Sequence, residues 1–295
     1  MKPRGPARFL RPAAWLLAAA LAALASPMAL AQDADTLHAR HAALQDKLAH
    51  NVFGRPLALE STQTSGDLKG DVYTVVEHPF GTVQQALQSI EHWCDILILH
   101  LNVKRCKADA GANTIALNVG RKFDQRLEDA YQLDFDFRIA AASADYLQVF
   151  LSADAGPMGT RNYRIVVEAI PVDVKRSVIH MSYAYGYGMT AKLAIQTYLA
   201  TLGSKKVGFT TNGKTADGQP VFIGGVLGLL ERNTMRYYLA IDAYLGAQSL
   251  PPAERVERRI RSWHASTERY AIQLREMEQG EYLEMKRKEI RRQQG

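Results

Sequence analysis

Between residues 114 and 185 the chain breaks into short blocks in which apolar and polar side chains alternate, and that period of two limits the folds open to it. The blocks cover 114–119, 133–141, 146–152, 163–170 and 177–185. In the second, Leu133, Phe135, Phe137 and Ile139 alternate with Asp134, Asp136 and Arg138. Successive side chains of a strand point to opposite faces, so such a block has one dry and one wet side. In the last block Ile179, Met181, Tyr183 and Tyr185 share a face opposite His180, Ser182 and Ala184. Blocks this closely spaced predict hairpin-linked antiparallel strands. A sheet that is apolar on one side only needs a cover for that side.

Helical patterns supply the cover. An apolar helix is expected over 191–202, closed by Gly203, and a hairpin joins 207–211 to 221–223 around the turn residues Asn212-Gly213 and Asp217-Gly218. A longer helix over 226–245 puts Leu227, Leu230, Thr234, Tyr238, Ile241 and Leu245 on one stripe, with Arg232 and Arg236 on the far side. Upstream, a strand over 71–78 turns at Pro79-Phe80-Gly81 into a short helix over 82–90. The apolar run 96–101 that follows fits a buried strand or a helix segment equally well. Leu37, Leu44, Leu48 and Val52 mark an amphipathic N-terminal helix. Beyond a Ser249-Leu250-Pro251-Pro252 linker, Val256, Ile260, Trp263, Thr267, Tyr270, Leu274 and Met277 form a heptad-like seam on a charged helix, and 281–292 continues that charged character.

The N-terminus predicts export. Lys2, Arg4, Arg8 and Arg11 precede an apolar run over 13–25, and Ala29-Leu30-Ala31 offers a cleavage site before Gln32. Such a run is too short to span a hydrocarbon core, which takes about 20 residues. No cysteine follows the cleavage site and no Arg-Arg pair precedes the run, so the expectation is Sec export of a protein that is not a lipoprotein, to the periplasm of a Gram-negative cell. Losing four basic residues and no acidic one lowers the formal net charge from +6 to +2. Basicity this mild gives no reason to expect nucleic acid as a partner. In an oxidising compartment the pair Cys94 and Cys106 reads as a disulfide, with two buried thiols as the alternative. Two cysteines without histidines at ligand spacing do not make a metal site.

The segment from Gly70 to Trp93, a strand ending at His78-Pro79-Phe80 that feeds a helix ending in Glu91-His92-Trp93, resembles the opening of the START-like (SRPBCC) helix-grip superfamily. The helix from Gly224 to Leu245 resembles its closing helix. The resemblance implies an α+β fold, a curved antiparallel sheet closed by a long helix, over 57–246. Around it stand extra helices at 32–56 and 247–295, after a signal peptide at 1–31. It also implies an apolar or amphipathic ligand, lipids among them, held between sheet and closing helix.

In that frame Phe135, Phe137, Met181, Tyr183, Tyr185, Glu231, Thr234 and Tyr238 are the expected ligand wall. The tyrosine series that continues to Tyr187 offers ring surface with hydrogen-bonding tips, or serves as ordinary packing. Glu231 reads either as a ligand anchor or general base, or as a solvated helix carboxylate. His180, on the opposite face, reads as a solvated or second-face histidine. The sequence has no H-E-x-x-H, G-x-S-x-G, Walker loop, strand-linked G-x-G-x-x-G or S-x-x-K, so neither a catalytic residue nor a cofactor is nominated. The leading expectation is an exported protein that binds or transfers an apolar or amphipathic small molecule, with transient membrane contact. The alternatives are a cyclase- or hydrolase-like enzyme using the same cavity, and an assembly protein that self-associates through its C-terminal helix.

Overall fold

A computed structural model describes residues 28–201 and 203–294, so nearly all of the expected signal peptide lies outside the described residues. The chain begins with helices α1 (Met28–Ala43) and α2 (Gln45–Ala49), then strands β1 (Leu57–Gln63) and β2 (Asp67–Val76) and helices α3 (Phe80–Leu87) and α4 (Ile90–Leu97). Strands β3 (Val103–Asp109), β4 (Thr114–Val119), β5 (Tyr131–Ala142), β6 (Leu147–Ala155), β7 (Thr160–Pro171) and β8 (Ser177–Tyr187) follow in series. Helix α5 (Met189–Ala200) and a small hairpin, β9 (Thr211–Lys214) with β10 (Pro220–Phe222), lead into the long helix α6 (Gly225–Leu245). Helices α7 (Pro252–Glu268), α8 (Ala271–Leu274) and α9 (Gln279–Gln294) complete it. Among the described residues no helix is long and apolar enough to cross a membrane.

Strands β1 to β8 form one antiparallel sheet in the order β1-β2-β8-β7-β6-β5-β4-β3, so the last strand pairs with the first hairpin and every other neighbour is a sequence neighbour. Leu133, Phe135, Leu151, Ile165, Val167, Met181 and Tyr183 fill its covered face together with Leu230, Met235 and Ile241 of α6. This is the helix-grip arrangement, α+β with a long helix gripped by the sheet.

One close contact sets how tightly α6 is held. A Cβ added at Gly70 of β2 would lie 2.2 Å from Thr234 Oγ1, so glycine there lets the helix touch the strand. Cys94 of α4 and Cys106 of β3 are joined in a disulfide with Cα atoms 5.2 Å apart, which ties the helical turn to the edge strand.

Several sequence expectations change. The alternation ends at Ile139, which is 42 % exposed although it still pairs with Val149, and just beyond it the β5–β6 register shifts between Ile139 and Ala141. The N-terminal helix breaks after Ala43, leaving Val52 68 % exposed beyond α2, while Leu37, Leu44 and Leu48 pack on the outer face of the sheet. The run 96–101 is the end of α4 and the turn after it. The strands β1 and β3 went unread; their apolar residues lack a clean period of two. Helix α5 does not cover the sheet: only Ala191 is buried in it, and Met189 and Leu193 stand 80 % and 67 % exposed.

The seam of the charged C-terminal stretch packs on the rest of this chain, with Arg258 and Arg261 exposed on its other side. Ile260, Trp263, Thr267, Tyr270 and Leu274 of the seam are buried in the chain's own core, on the side of α6 that the helical wheel assigned to Arg232 and Arg236. Both arginines are buried in consequence. Further on, Lys104, Lys286 and Glu289 are fully buried together: Glu289 receives Lys104 Nζ at 3.0 Å and Lys286 Nζ at 2.7 Å, and each ammonium also donates to two carbonyls. Burial pushes the Lys286 ammonium down to about 8, against the pull of Glu289.

Candidate functional site, a tyrosine-lined interior

The pleat of β8 turns Tyr183, Tyr185 and Tyr187 to the covered face of the sheet, where all three are buried. Neighbouring elements add rings. Tyr163 of β7 stacks on Tyr185 with centroids 5.3 Å apart, and Phe135 of β5 meets Tyr163 edge-on at 6.3 Å. Tyr237 of α6 lies 5.1 Å from Tyr183, and His100, just beyond α4, stacks on Tyr237 at 4.6 Å. Ring pairs at these separations are mutually favourable, by about 0.5–1.5 kcal/mol each beyond the area they bury.

The hydroxyls differ in what they meet. Tyr187 Oη accepts from Gln63 Nε2 at 2.9 Å and Tyr163 Oη donates to Thr160 Oγ1 at 2.8 Å. Tyr183, Tyr185 and Tyr237 make no hydrogen bond to any described residue. A phenol held inside a protein without a protein partner is served by water or by a ligand. Tyr163 and Tyr237 are only half-buried, so solvent reaches this end of the interior. Burial, then the neighbouring phenols, hold Tyr183 and Tyr185 above the usual tyrosine range, and burial with Tyr163 does the same for Tyr237. At neutral pH the three are uncharged donors and acceptors, not bases.

Of the expected ligand wall, the fold brings together Phe135, Tyr183 and Tyr185. Phe137 and Met181 are buried beside them in the same core. Glu231, Thr234 and Tyr238 lie elsewhere, where α6 meets β1 and β2. Thr234 sits on Gly70 and donates to Leu230 O, and Tyr238 Oη lies 3.5 Å from Thr74 Oγ1. Glu231 is neither solvated nor free for a ligand. It is fully buried, and its carboxylate accepts from Ser61 Oγ and Thr210 Oγ1 at 2.7 Å each and from the amides of Phe209 at 2.6 Å and Thr210 at 3.0 Å. A Cβ on Gly208 would stand 2.4 Å from Glu231 Oε2, so a glycine is needed for that segment to reach the carboxylate. Glu231 thus fastens the segment before β9 to α6.

His180 does lie on the opposite face, as the alternation requires, but it is buried and fully engaged. Its Nε2 is 2.8 Å from Asp71 Oδ1, its Nδ1 is 2.6 Å from Glu168 Oε2, and its ring stacks on Tyr73 at 4.3 Å. The second face is wet only in part, because α1 lies over it with Leu37 against Tyr146, Ile170 and Val178 and with Arg40 over Tyr73.

Sequence reasoning missed Tyr163, Tyr237 and His100. Tyr163 stood in plain view two residues before Ile165 in an alternating block, whereas Tyr237 falls beside the α6 stripe and His100 has no periodic signal at all. A separate cavity of about 580 Å³ lies outside this interior, lined among others by His78, Thr82, His92, Gln248 and Arg255.

No family model and no curated protein matches the chain. Solved structures similar to it include a START superfamily protein from Mycobacterium smegmatis, at 11 % identity over 48 % of this chain and 93 % of that one, with a TM-score of 0.31. Norcoclaurine synthase from Thalictrum flavum, as a point mutant in complex with a transition state analogue, is similar at 15 % identity over 48 % of this chain and 89 % of that one, with a TM-score of 0.34. A conserved protein from Geobacillus kaustophilus is similar at 12 % identity over 45 % of this chain and 86 % of that one, with a TM-score of 0.31. The functional reading of the interior therefore rests on this chain's own residues.

Proposed function

We propose that the protein is exported with removal of residues 1–31, and that it binds or transfers an amphipathic small molecule with its apolar body against Tyr163, Tyr183, Tyr185 and Tyr237. The observation that carries this reading is the set of three phenols, Tyr183, Tyr185 and Tyr237, that have no hydrogen-bond partner among the described residues, in an aromatic interior whose Tyr163 and Tyr237 are partly exposed. Helix α5 supports it: it leaves β8 directly after the tyrosines and presents Met189 and Leu193 to solvent, the kind of apolar surface a transfer step at a membrane uses.

Native mass spectrometry of protein purified mildly from its own compartment tests the binding. A co-purifying mass that is lost in a Tyr183→Phe, Tyr185→Phe, Tyr237→Phe triple variant of unchanged fold is the expected result. An empty protein, or a ligand retained unchanged by the triple variant, would refute the assignment. N-terminal sequencing of the exported form should begin at Gln32, and a chain found intact in the cytoplasm would refute the export.

A further inference from the structure

Beside the tyrosines stands a group of buried nitrogen donors with too few acceptors. His100 Nε2, Arg236 Nε and both Nε and Nη2 of Arg232 are buried and have no hydrogen-bond partner among the described residues. His100 takes the Asn102 amide on Nδ1 at 3.2 Å, which places its proton on Nε2 and makes that orphaned atom a donor. Arg232 and Arg236 are one helical turn apart on α6, and Arg236 Nη1 donates to Asn233 Oδ1 at 3.3 Å, toward the flank that carries Tyr237. The His100 ring, stacked on Tyr237, links this group to the tyrosine wall.

Charge tells the same story as hydrogen bonding. Glu276 is the carboxylate that answers Arg236 at 2.7 Å, Lys122 at 2.7 Å and Lys206 at 3.6 Å. Arg232 donates to Val207 O at 3.2 Å and lies beside the Tyr198 hydroxyl, with Glu276 and Glu231 near enough to be felt but no carboxylate of the described residues in ion-pair contact with it. Glu289 answers both Lys104 and Lys286, and Glu231 is taken up by Ser61, Phe209 and Thr210. Among the described residues Glu276 thus faces three cations and Glu289 two, while Arg232 has no carboxylate within ion-pair distance. Burial, and after it the charges of Arg236, Lys286, Lys122 and Lys104, keep His100 uncharged. A guanidinium does not escape the cost of burial by losing its proton, so an unmatched buried one calls for an anion.

We propose that His100, Arg232 and Arg236 form an anion site that receives the carboxylate or similar oxyanion head of the molecule whose apolar body lies along the tyrosines. The site deepens the binding reading above and rests on it for the tail of the ligand, but its own evidence is the orphaned donors. A bidentate oxyanion supplies the acceptors that a guanidinium fork and an imidazole N–H lack. Tyr237, between His100 and Tyr183, is where head and body would join.

Isothermal titration of the mature protein with dodecanoate, with dodecanol and with inorganic phosphate separates the parts. Dodecanoate binding at least about tenfold more tightly than dodecanol, with that preference lost in Arg232→Gln, supports the site; Arg232 is chosen because no carboxylate of the described residues is in ion-pair contact with it. The comparison of probes on the unaltered protein needs no variant to fold. Equal binding of dodecanoate and dodecanol overturns the anion site and leaves the tyrosine-lined site standing. Phosphate binding with neither alkyl probe overturns the tyrosine-lined site and supports a site for a free anion, and no binding of any probe overturns both.

Discussion

Replacing His180 with Ala offers a direct measure of what ties α1 and the outer face of the sheet to the fold. The ring bridges Asp71 and Glu168 on neighbouring strands, and both carboxylates are nearly buried, with side chains 10 % and 14 % exposed. Breaking a buried pair costs about 3–5 kcal/mol, because the charge left behind has no compensation. Here the lower end applies, about 3 kcal/mol. Lys69 still stands 3.0 Å from Asp71, and Tyr146 and Gln148 still donate to Glu168.

With a urea slope of about 2–3 kcal/mol per molar, the unfolding midpoint should fall by about 1 M. The pH dependence discriminates further. Burial alone would discharge His180, but its hydrogen bonds and charge pairing with Asp71 and Glu168 outweigh burial and raise the ring above 6.5, while the same contacts hold Asp71 below 3.8 and Glu168 below 4.5 against their own burial. A raised imidazolium adds stability that is whole below 6.5 and fades as pH climbs through the folded value. Lowered carboxylates add stability that is whole above 4.5 and fades as pH falls. The gap between native and His180→Ala should therefore be widest between about pH 4.5 and 6.5 and narrow on both sides. A gap under about 1 kcal/mol, or one that stays flat from pH 4 to 9, would show that the network is not the clamp its geometry describes.

Other perturbations follow from the same packing. Converting both Cys94 and Cys106 to Ala opens a loop of sequence separation 12 and should cost about 3 kcal/mol, read as a lower denaturant midpoint that reductant no longer shifts. Glu289→Gln strands two fully buried ammonium groups and should destabilise by about 3–5 kcal/mol; a loss under 1 kcal/mol would mean that Lys104 and Lys286 are held by their carbonyls alone. Gly70→Ala should cost about 1–3 kcal/mol by forcing α6 off β2, and a Thr234→Ala background should recover part of that cost; independent, additive effects in the double-mutant cycle would contradict the contact. Glu231→Ala should speed hydrogen exchange at the amides of Phe209 and Thr210, and exchange rates there equal to those of the native protein would remove Glu231 as the anchor of that segment.

How much of this was legible before the structure depends on the range of the interaction. Side chains that answer to the strand period, such as Leu133, Phe135, Met181, Tyr183 and Tyr185, were placed on the correct face because the alternation is local. Glu231, His180, Arg232 and Arg236 were placed on the correct flank of their elements but given the wrong surroundings. Most of their partners come from 12 to 170 residues away, and nothing in the local pattern announces that α1 covers one face of the sheet or that α7 and α8 cover α6. The seam of α7 was visible as a stripe, yet a stripe does not say what it packs on.

The site shows the same limit most sharply. Periodicity puts Thr234 on the stripe of α6 that faces the sheet and Tyr237 beside it, and says nothing of what either one meets there. The sheet separates them: Thr234 meets a glycine, whereas Tyr237 meets the rings of Tyr183 and His100. Backbone-close approach of helix and strand thus arises where one partner is Gly70, and ring packing where large side chains face each other. Only the pairing across the interface, a property of two distant segments at once, decides between a core and a binding site.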